Sequence, residues 1–299
     1  MKKHLYIVLL AGVALQLWSN KAMAQEPFTF TQYMNDITPI NNAYSTMDNA
    51  GNLSAVGRRQ WIGINGAPSS FLFNGSVPIA GIGGAAGLSF LQDKIGSENL
   101  TEINAFFAKK VQLSGTNFLS ASINAGFRNH KITYSTLDPT DPSFQNSDVN
   151  ETIPNLGFGV MLYGSNYYVG LSLPRLSLGG NTSQGLPNDY YLTSAYITNL
   201  GSDFKLKPSL LLSYQGTALP LEYNIAATLY AKEVLGVGIS YRNDSAVAGI
   251  LSVNINNNIQ FGYSYQFSVG TYALGGLNNT SQELTLSYRF GKNVVTKLL

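Results

Sequence analysis

Few side chains here are equipped for chemistry. After the N-terminal thirty residues the only histidine is His130, and Asp138, Asp141, Asp148 and Glu151 follow it within about twenty positions. A histidine with an aspartate and a serine is the constellation of a hydrolase, but such triads are defined by geometry, which spacing does not supply. Flanked by Arg128 and Lys131, His130 reads better as a solvated residue at the mouth of a long loop. The four acidic residues would suit calcium, yet the EF-hand spacing is missing, so a solvated loop fits better. Gly81-Ile82-Gly83-Gly84-Ala85-Ala86 matches G-x-G-x-x-A, the dinucleotide fingerprint. That motif needs a helix after it, and Gly87-Leu88-Ser89-Phe90-Leu91 reads as strand, so these glycines form a turn. With no cysteine there is neither a thiolate metal site nor a disulfide. No catalytic residue, metal or cofactor is expected.

The elements that would position any site begin with an export signal. Lys2, Lys3 and His4 precede an apolar run from Leu5 to Leu17, and Ala22-Met23-Ala24 supplies the small-x-small cleavage pattern. Residues 1–24 are expected to be removed, leaving Gln25 as the first residue; the run is too short for a bilayer span of about 20 residues. Lys2, Lys3 and Lys21 leave with the signal, so fifteen basic residues face sixteen acidic ones, and nothing favours nucleic acid.

Only 11% of residues are charged, less than half the share of about 25% usual in a soluble protein. Beyond the signal there is no apolar run near 18 residues, so a helical bundle is excluded. A closed sheet is the remaining way to satisfy every backbone group in lipid. Its mark is segments of about ten residues alternating apolar and polar. Leu284, Leu286, Tyr288 and Phe290 alternate with Glu283, Thr285, Ser287 and Arg289. Ile259, Phe261, Tyr263, Tyr265 and Phe267 alternate with Gln260, Gly262, Ser264 and Gln266, and similar rows run through 156–162 and 167–173.

These rows predict an all-β fold, a transmembrane antiparallel up-and-down barrel spanning 53–291. Fourteen strands are expected near 53–64, 69–79, 82–92, 100–111, 117–130, 155–163, 166–174, 190–198, 205–215, 220–231, 234–243, 246–255, 258–267 and 282–290. The long connections (131–154, 175–189 and 268–281) all follow odd-numbered strands, as they should if both termini are periplasmic. A soluble sandwich or propeller would put charges on the second face, which here is small and neutral. Outer-membrane lipid is therefore the expected surroundings, with residues 25–52 periplasmic or lumenal and 292–299 a periplasmic tail.

The residues before the first strand add a resemblance. Gln25-Glu26-Pro27-Phe28-Thr29-Phe30-Thr31-Gln32-Tyr33-Met34, then Pro39-Ile40-Asn41-Asn42-Ala43-Tyr44, resembles the opening of the PorP/SprF family, roughly Q-D-P-x-F-S-Q-Y-M followed by N-P-A-Y-A-G. Arg58-Arg59-Gln60-Trp61, Gly66-Ala67-Pro68 with the strand Phe71–Ile79, and the Leu284–Phe290 strand are similar as well. The chain departs from the pattern at Asn42 and Ser45, which stand where the family has proline and alanine, and the final glycine is missing. The resemblance implies a Bacteroidota outer-membrane component of type IX secretion. Its partner would be a secreted surface protein or gliding adhesin with a type IX (type B) C-terminal domain, whose export or surface attachment it supports without catalysis. Periplasmic or outer-membrane secretion components are further implied partners. It points to Phe30, Gln32, Tyr33, Met34, Asn42, Tyr44, Arg59, Gln60 and Trp61 as partner-binding residues. On the residues alone Arg59 reads equally well as an inward lumen charge and Trp61 as an interfacial aromatic. The rival function is an outer-membrane diffusion channel or small-molecule transporter, since fourteen strands can enclose a ligand path.

Overall fold

The computed structural model describes residues 30–136, 148–178, 188–216, 220–243, 246–269, 280–291, 294, 296 and 298–299. The alternating rows form fourteen antiparallel strands: β1 (Gly51–Arg59), β2 (Ser69–Ile79), β3 (Gly84–Ile95), β4 (Glu98–Ser114), β5 (Asn117–Ile132), β6 (Val149–Tyr163) and β7 (Tyr167–Ser177). Next come β8 (Tyr190–Tyr196, continued past Ile197 by Thr198–Asn199), β9 (Phe204–Tyr214), β10 (Glu222–Ala231), β11 (Leu235–Arg242), β12 (Ala246–Asn254), β13 (Ile259–Ser268) and β14 (Ser281–Phe290). Each strand pairs with its neighbours in sequence, and β1 closes on β14 from Gly51↔Phe290 to Arg59↔Gln282. The result is a closed up-and-down barrel with no free edge.

Period two decides which way each side chain points. Leu284, Leu286 and Tyr288 are about half exposed on the outside, whereas Glu283, Thr285 and Ser287 are buried in the lumen. Spanning a bilayer takes about 9–11 tilted residues. β1 and β14, with 9 and 10, just suffice. β4, β5 and β6, with 17, 16 and 15, project beyond the apolar layer. The glycine run at 81–84 makes the β2–β3 turn, with Gly83 left-handed (φ 62°), and Gly84 opens β3 with no helix after it.

All the even-numbered connections turn at the end of the barrel where the described chain starts and stops its strands, hereafter the terminal end. The connections after β5, β7 and β13 are the longest and lie at the opposite, loop end; their central residues, including Asp138 and Asp141, lie outside the described residues. Among the described residues no helix is long and apolar enough to cross a membrane.

Candidate functional site: an occupied lumen

A barrel this wide cannot fill its lumen with strand side chains alone, and here residues 30–50 fill it. Two short 3-10 turns, Tyr33–Asn35 and Asn42–Thr46, fold this segment. Phe30, Tyr33, Met34, Ile37, Ile40, Ala43 and Tyr44 are all at most 5% exposed. They pack on inward-facing apolar residues that interrupt the polar rows of the wall, among them Val56, Leu72, Met161, Leu211 and Ile250.

Polar contacts fix the segment around its circumference. Near the loop end the Thr31 and Gln32 amides both donate to the Glu283 carboxylate (2.9 and 2.8 Å), and Thr31 Oγ1 donates to Gln266. Asp36 accepts from the side chains of Ser54 (2.5 Å), Asn52 and Asn74 on β1 and β2. Asn41 Nδ2 donates to the carbonyls of Val160 and Leu171, which face each other across β6 and β7, while its Oδ1 caps the second turn through Ala43 N–H. Lys207 Nζ donates to Met34 O (2.6 Å) and Tyr33 Oη to Asn224 O (3.1 Å). At the terminal end Thr46 Oγ1 donates to Ser120 Oγ, Arg289 pairs with Asp48 at 2.5 Å, and Tyr44 Oη donates to Leu299 O. The segment therefore crosses the lumen, from the loop-end third at Thr31 to the terminal rim at Asp48.

Six of the nine residues singled out by sequence lie inside the lumen. Phe30, Tyr33, Met34 and Tyr44 are hydrophobic contacts of the segment, Gln32 contacts the wall at Glu283 and Thr285, and Asn42 makes an internal tie to Thr38 O. The other three stand at the loop-end rim. Arg58, not Arg59, points inward, where it faces Glu283 in register; Arg59 is exposed on the outer face. Gln60 N–H closes the β1–β2 connection on Pro68 O. Trp61 adopts a left-handed backbone (φ 46°), a conformation that strains a bulky residue. Asn41, Asp36, Lys207 and Glu283 were missed. Lys207 and Glu283 carry a weak signal, each a charge on an inward row otherwise rich in Ser and Thr, whereas Asp36 and Asn41 lie in the segment, which has no such row.

Beyond the segment toward the loop end, charges pair inside the wall. Glu102 on β4 accepts from Arg128 Nε (3.1 Å), Arg175 Nε (2.8 Å) and Asn104 (2.6 Å), and Arg175 reaches Asp189 at 3.2 Å. Asp189 also accepts from Gln215. His130 is not a solvated loop residue: it lies on β5, buried, with Nε2 2.7 Å from Glu98 Oε1. Among the described residues no three His, Cys, Asp or Glu side chains gather as a metal site would require. Outside the strands, Asp148 accepts from the Ser135 amide (2.9 Å) and hydroxyl (3.0 Å), and the amide bond foremost holds its carboxyl below the usual range.

Among solved structures the chain is similar to the outer membrane protein Omp33 of Acinetobacter baumannii (10% identity, 82% of this chain and 100% of that one, TM-score 0.48). It is also similar to the Pseudomonas putida toluene transporter TodX (9%, 88% and 94%, 0.49) and the monoaromatic hydrocarbon channel CymD (12%, 89% and 94%, 0.49). At these values the likeness carries nothing about cargo or solute. No curated protein matches the chain. The sequence profile of the family described as type IX secretion system membrane protein PorP/SprF matches residues 22–288, which takes in the segment and nearly the whole wall. With that match spanning most of its length, this outer-membrane barrel belongs to the PorP/SprF family of type IX secretion membrane proteins.

Proposed function

We propose that this barrel is a plugged surface receptor of type IX secretion: it binds the C-terminal domain of a secreted surface protein or gliding adhesin and so supports its export or surface attachment. It acts by binding and catalyses nothing. The observation that carries the reading is the filled lumen, which favours a capped platform over an open diffusion path. In this reading the loop end faces the cell exterior and the terminal end meets periplasmic secretion components.

The residues that touch the partner would be Arg59, Gln60 and Trp61. Trp61 is half-buried on a strained turn, and an open pocket lined by Arg58, Arg59, Ser70 and Gln282 lies at the same loop-end rim. A rigid aromatic beside an arginine is the usual makeup of an interface hot spot. Phe30, Gln32, Tyr33, Met34, Asn42 and Tyr44 would serve the partner indirectly, by holding the platform from within.

The test is co-expression of the tagged barrel with a cognate C-terminal domain, followed by purification in detergent. The two should co-purify, and Trp61→Ala should weaken binding by about 2 kcal/mol, roughly thirtyfold. A folded barrel that never retains the domain would sink the proposal.

A further inference from the structure

Period two also sorts the outer face, and on β1–β5 it sets out a row of cations. Arg59, Ser69, Lys94, Asn99 and Lys131 face one another in register across the five strands, and all but the half-buried Asn99 are exposed. Neighbouring strands lie about 4.8 Å apart, so the three cations follow one another at about 10 Å. Two positions closer to the terminal end come Gln92, Thr101 and Asn129, again in register. Two further come Ala55, Phe73, Phe90, Ile103 and Phe127. Phe90 also meets Phe71, with ring centroids 6.3 Å apart. Within four residues the outer wall thus steps from cationic through polar to apolar side chains. The longest connections leave from this end, and in bacterial barrels the long connections are the outer ones, so the row borders the outer leaflet.

A girdle of aromatics usually marks this boundary. On the far side of the barrel Tyr190, Tyr214, Tyr241 and Tyr265 supply it, all exposed. On β1–β5 the cations stand in its place, and the wall does not neutralise them. Among the described residues neither Arg59 nor Lys94 has an ion-pair partner. Asp93 and Glu98 turn to the other face of their strands, where they meet Ser70 and His130. Asp148 attracts Lys131, but its carboxylate is already held by the Ser135 amide and hydroxyl. A strip of positive charge above an aromatic shelf is complementary to an amphiphile with an anionic head and acyl tails.

We propose that this arc is a binding site for a phosphorylated glycolipid of the outer leaflet. Its phosphates meet Arg59, Lys94 and Lys131, and its acyl chains lie along Phe73, Phe90 and Phe127. The row is about 20 Å long, too long for the single phosphate of a glycerophospholipid. Barrel strands tilt by about 35–45°, so the row also climbs across the wall. A glycolipid charged both on its acylated sugars and on the sugars above them meets it at more than one height.

The site depends on the outer-membrane location and stands whether or not a C-terminal domain binds. Arg59 is shared with the proposed partner face, so the test uses the two lysines. Wild type and Lys94→Gln/Lys131→Gln are purified in detergent with EDTA. Lys109→Gln/Lys232→Gln is the control, removing the same charge from exposed positions toward the terminal end. Each protein that shows the heat-dependent gel shift of a folded barrel is titrated, by native mass spectrometry, with three lipids: lipopolysaccharide stripped of its outer sugars, the same lipid with its phosphates removed, and phosphatidylglycerol. Wild type and control should bind one intact glycolipid, and the row variant should bind it about thirtyfold more weakly, a factor of about five per lysine. Wild type should also prefer the intact glycolipid to both other lipids, a comparison that holds even if the row variant fails to assemble. Equal binding by wild type and folded row variant would overturn the site. So would dephosphorylated lipid or phosphatidylglycerol bound as tightly as the intact glycolipid. A wild type that retains no lipid would overturn it in favour of an acidic protein on the same row.

Discussion

At the scale of single residues, Glu102 shows how a charge survives inside this wall. Two guanidinium groups and an amide share its carboxylate, and Arg175 passes the connection on to Asp189. Removing one partner of a buried ion pair leaves the other uncompensated and costs about 3–5 kcal/mol. Arg175→Met should therefore lower the temperature at which the folded barrel loses its compact gel mobility. Arg59→Met, on the exposed rim, should fall within about 0.5 kcal/mol of the wild type. Equal melting of the two variants would show that the ion network does not stabilise the wall. None of this could be read from spacing. Arg175 points inward because Pro174 and Arg175 bulge opposite Gly157, where a Cβ would meet Asn124 Oδ1 at 2.0 Å. A bulge shifts the alternation by one position, so a period-two count places Arg175 on the wrong face. His130 fails differently: β5 runs to Ile132, two residues past its expected end, and carries the histidine into the wall.

The elements were far more legible, because each strand meets lipid on one face and polar contents on the other. That contrast marks every second residue, and the fourteen expected strands match those of the structure to within a few residues, except that β1 ends five residues earlier, leaving Trp61 in the connection, and β6 begins six residues earlier. The lumenal segment lacks any such repeat. Its turns are short and its fit depends on wall residues more than a hundred positions away, so sequence left it periplasmic or lumenal without deciding. The sequence holds one hint of it: inward apolar residues such as Leu72, between Ser70 and Asn74, do not suit a water-filled barrel. Because the chain has no cysteine, a single introduced thiol reports on this element cleanly. Ala43→Cys, fully buried, should resist a small maleimide until the barrel is unfolded, whereas Thr116→Cys on the exposed β4–β5 turn should react at once. Rapid labelling of Ala43→Cys in the folded barrel would mean that the segment spends much of its time outside.

For the molecule as a whole, the lumenal segment touches both sides of the seam. Asp36 holds Ser54 and Asn52 on β1, and Thr31 and Gln32 are gripped by Glu283 on β14. The first set spans 16–18 residues of chain and the second about 250, so loop-closure entropy favours the first forming early and the second late. Deleting residues 30–50 should slow the appearance of the compact species during refolding into detergent, while Gln32→Ala/Asn41→Ala, which keeps the Asp36 contacts and the two backbone amide bonds to the Glu283 carboxylate, should close at nearly the wild-type rate. Unchanged kinetics after the deletion would show that the strands find their partners unaided. The segment thus acts as a mandrel: the sheet wraps around a piece of its own chain already fastened to its first strand, and the last strand arrives to find two amides marking the register in which it must lock.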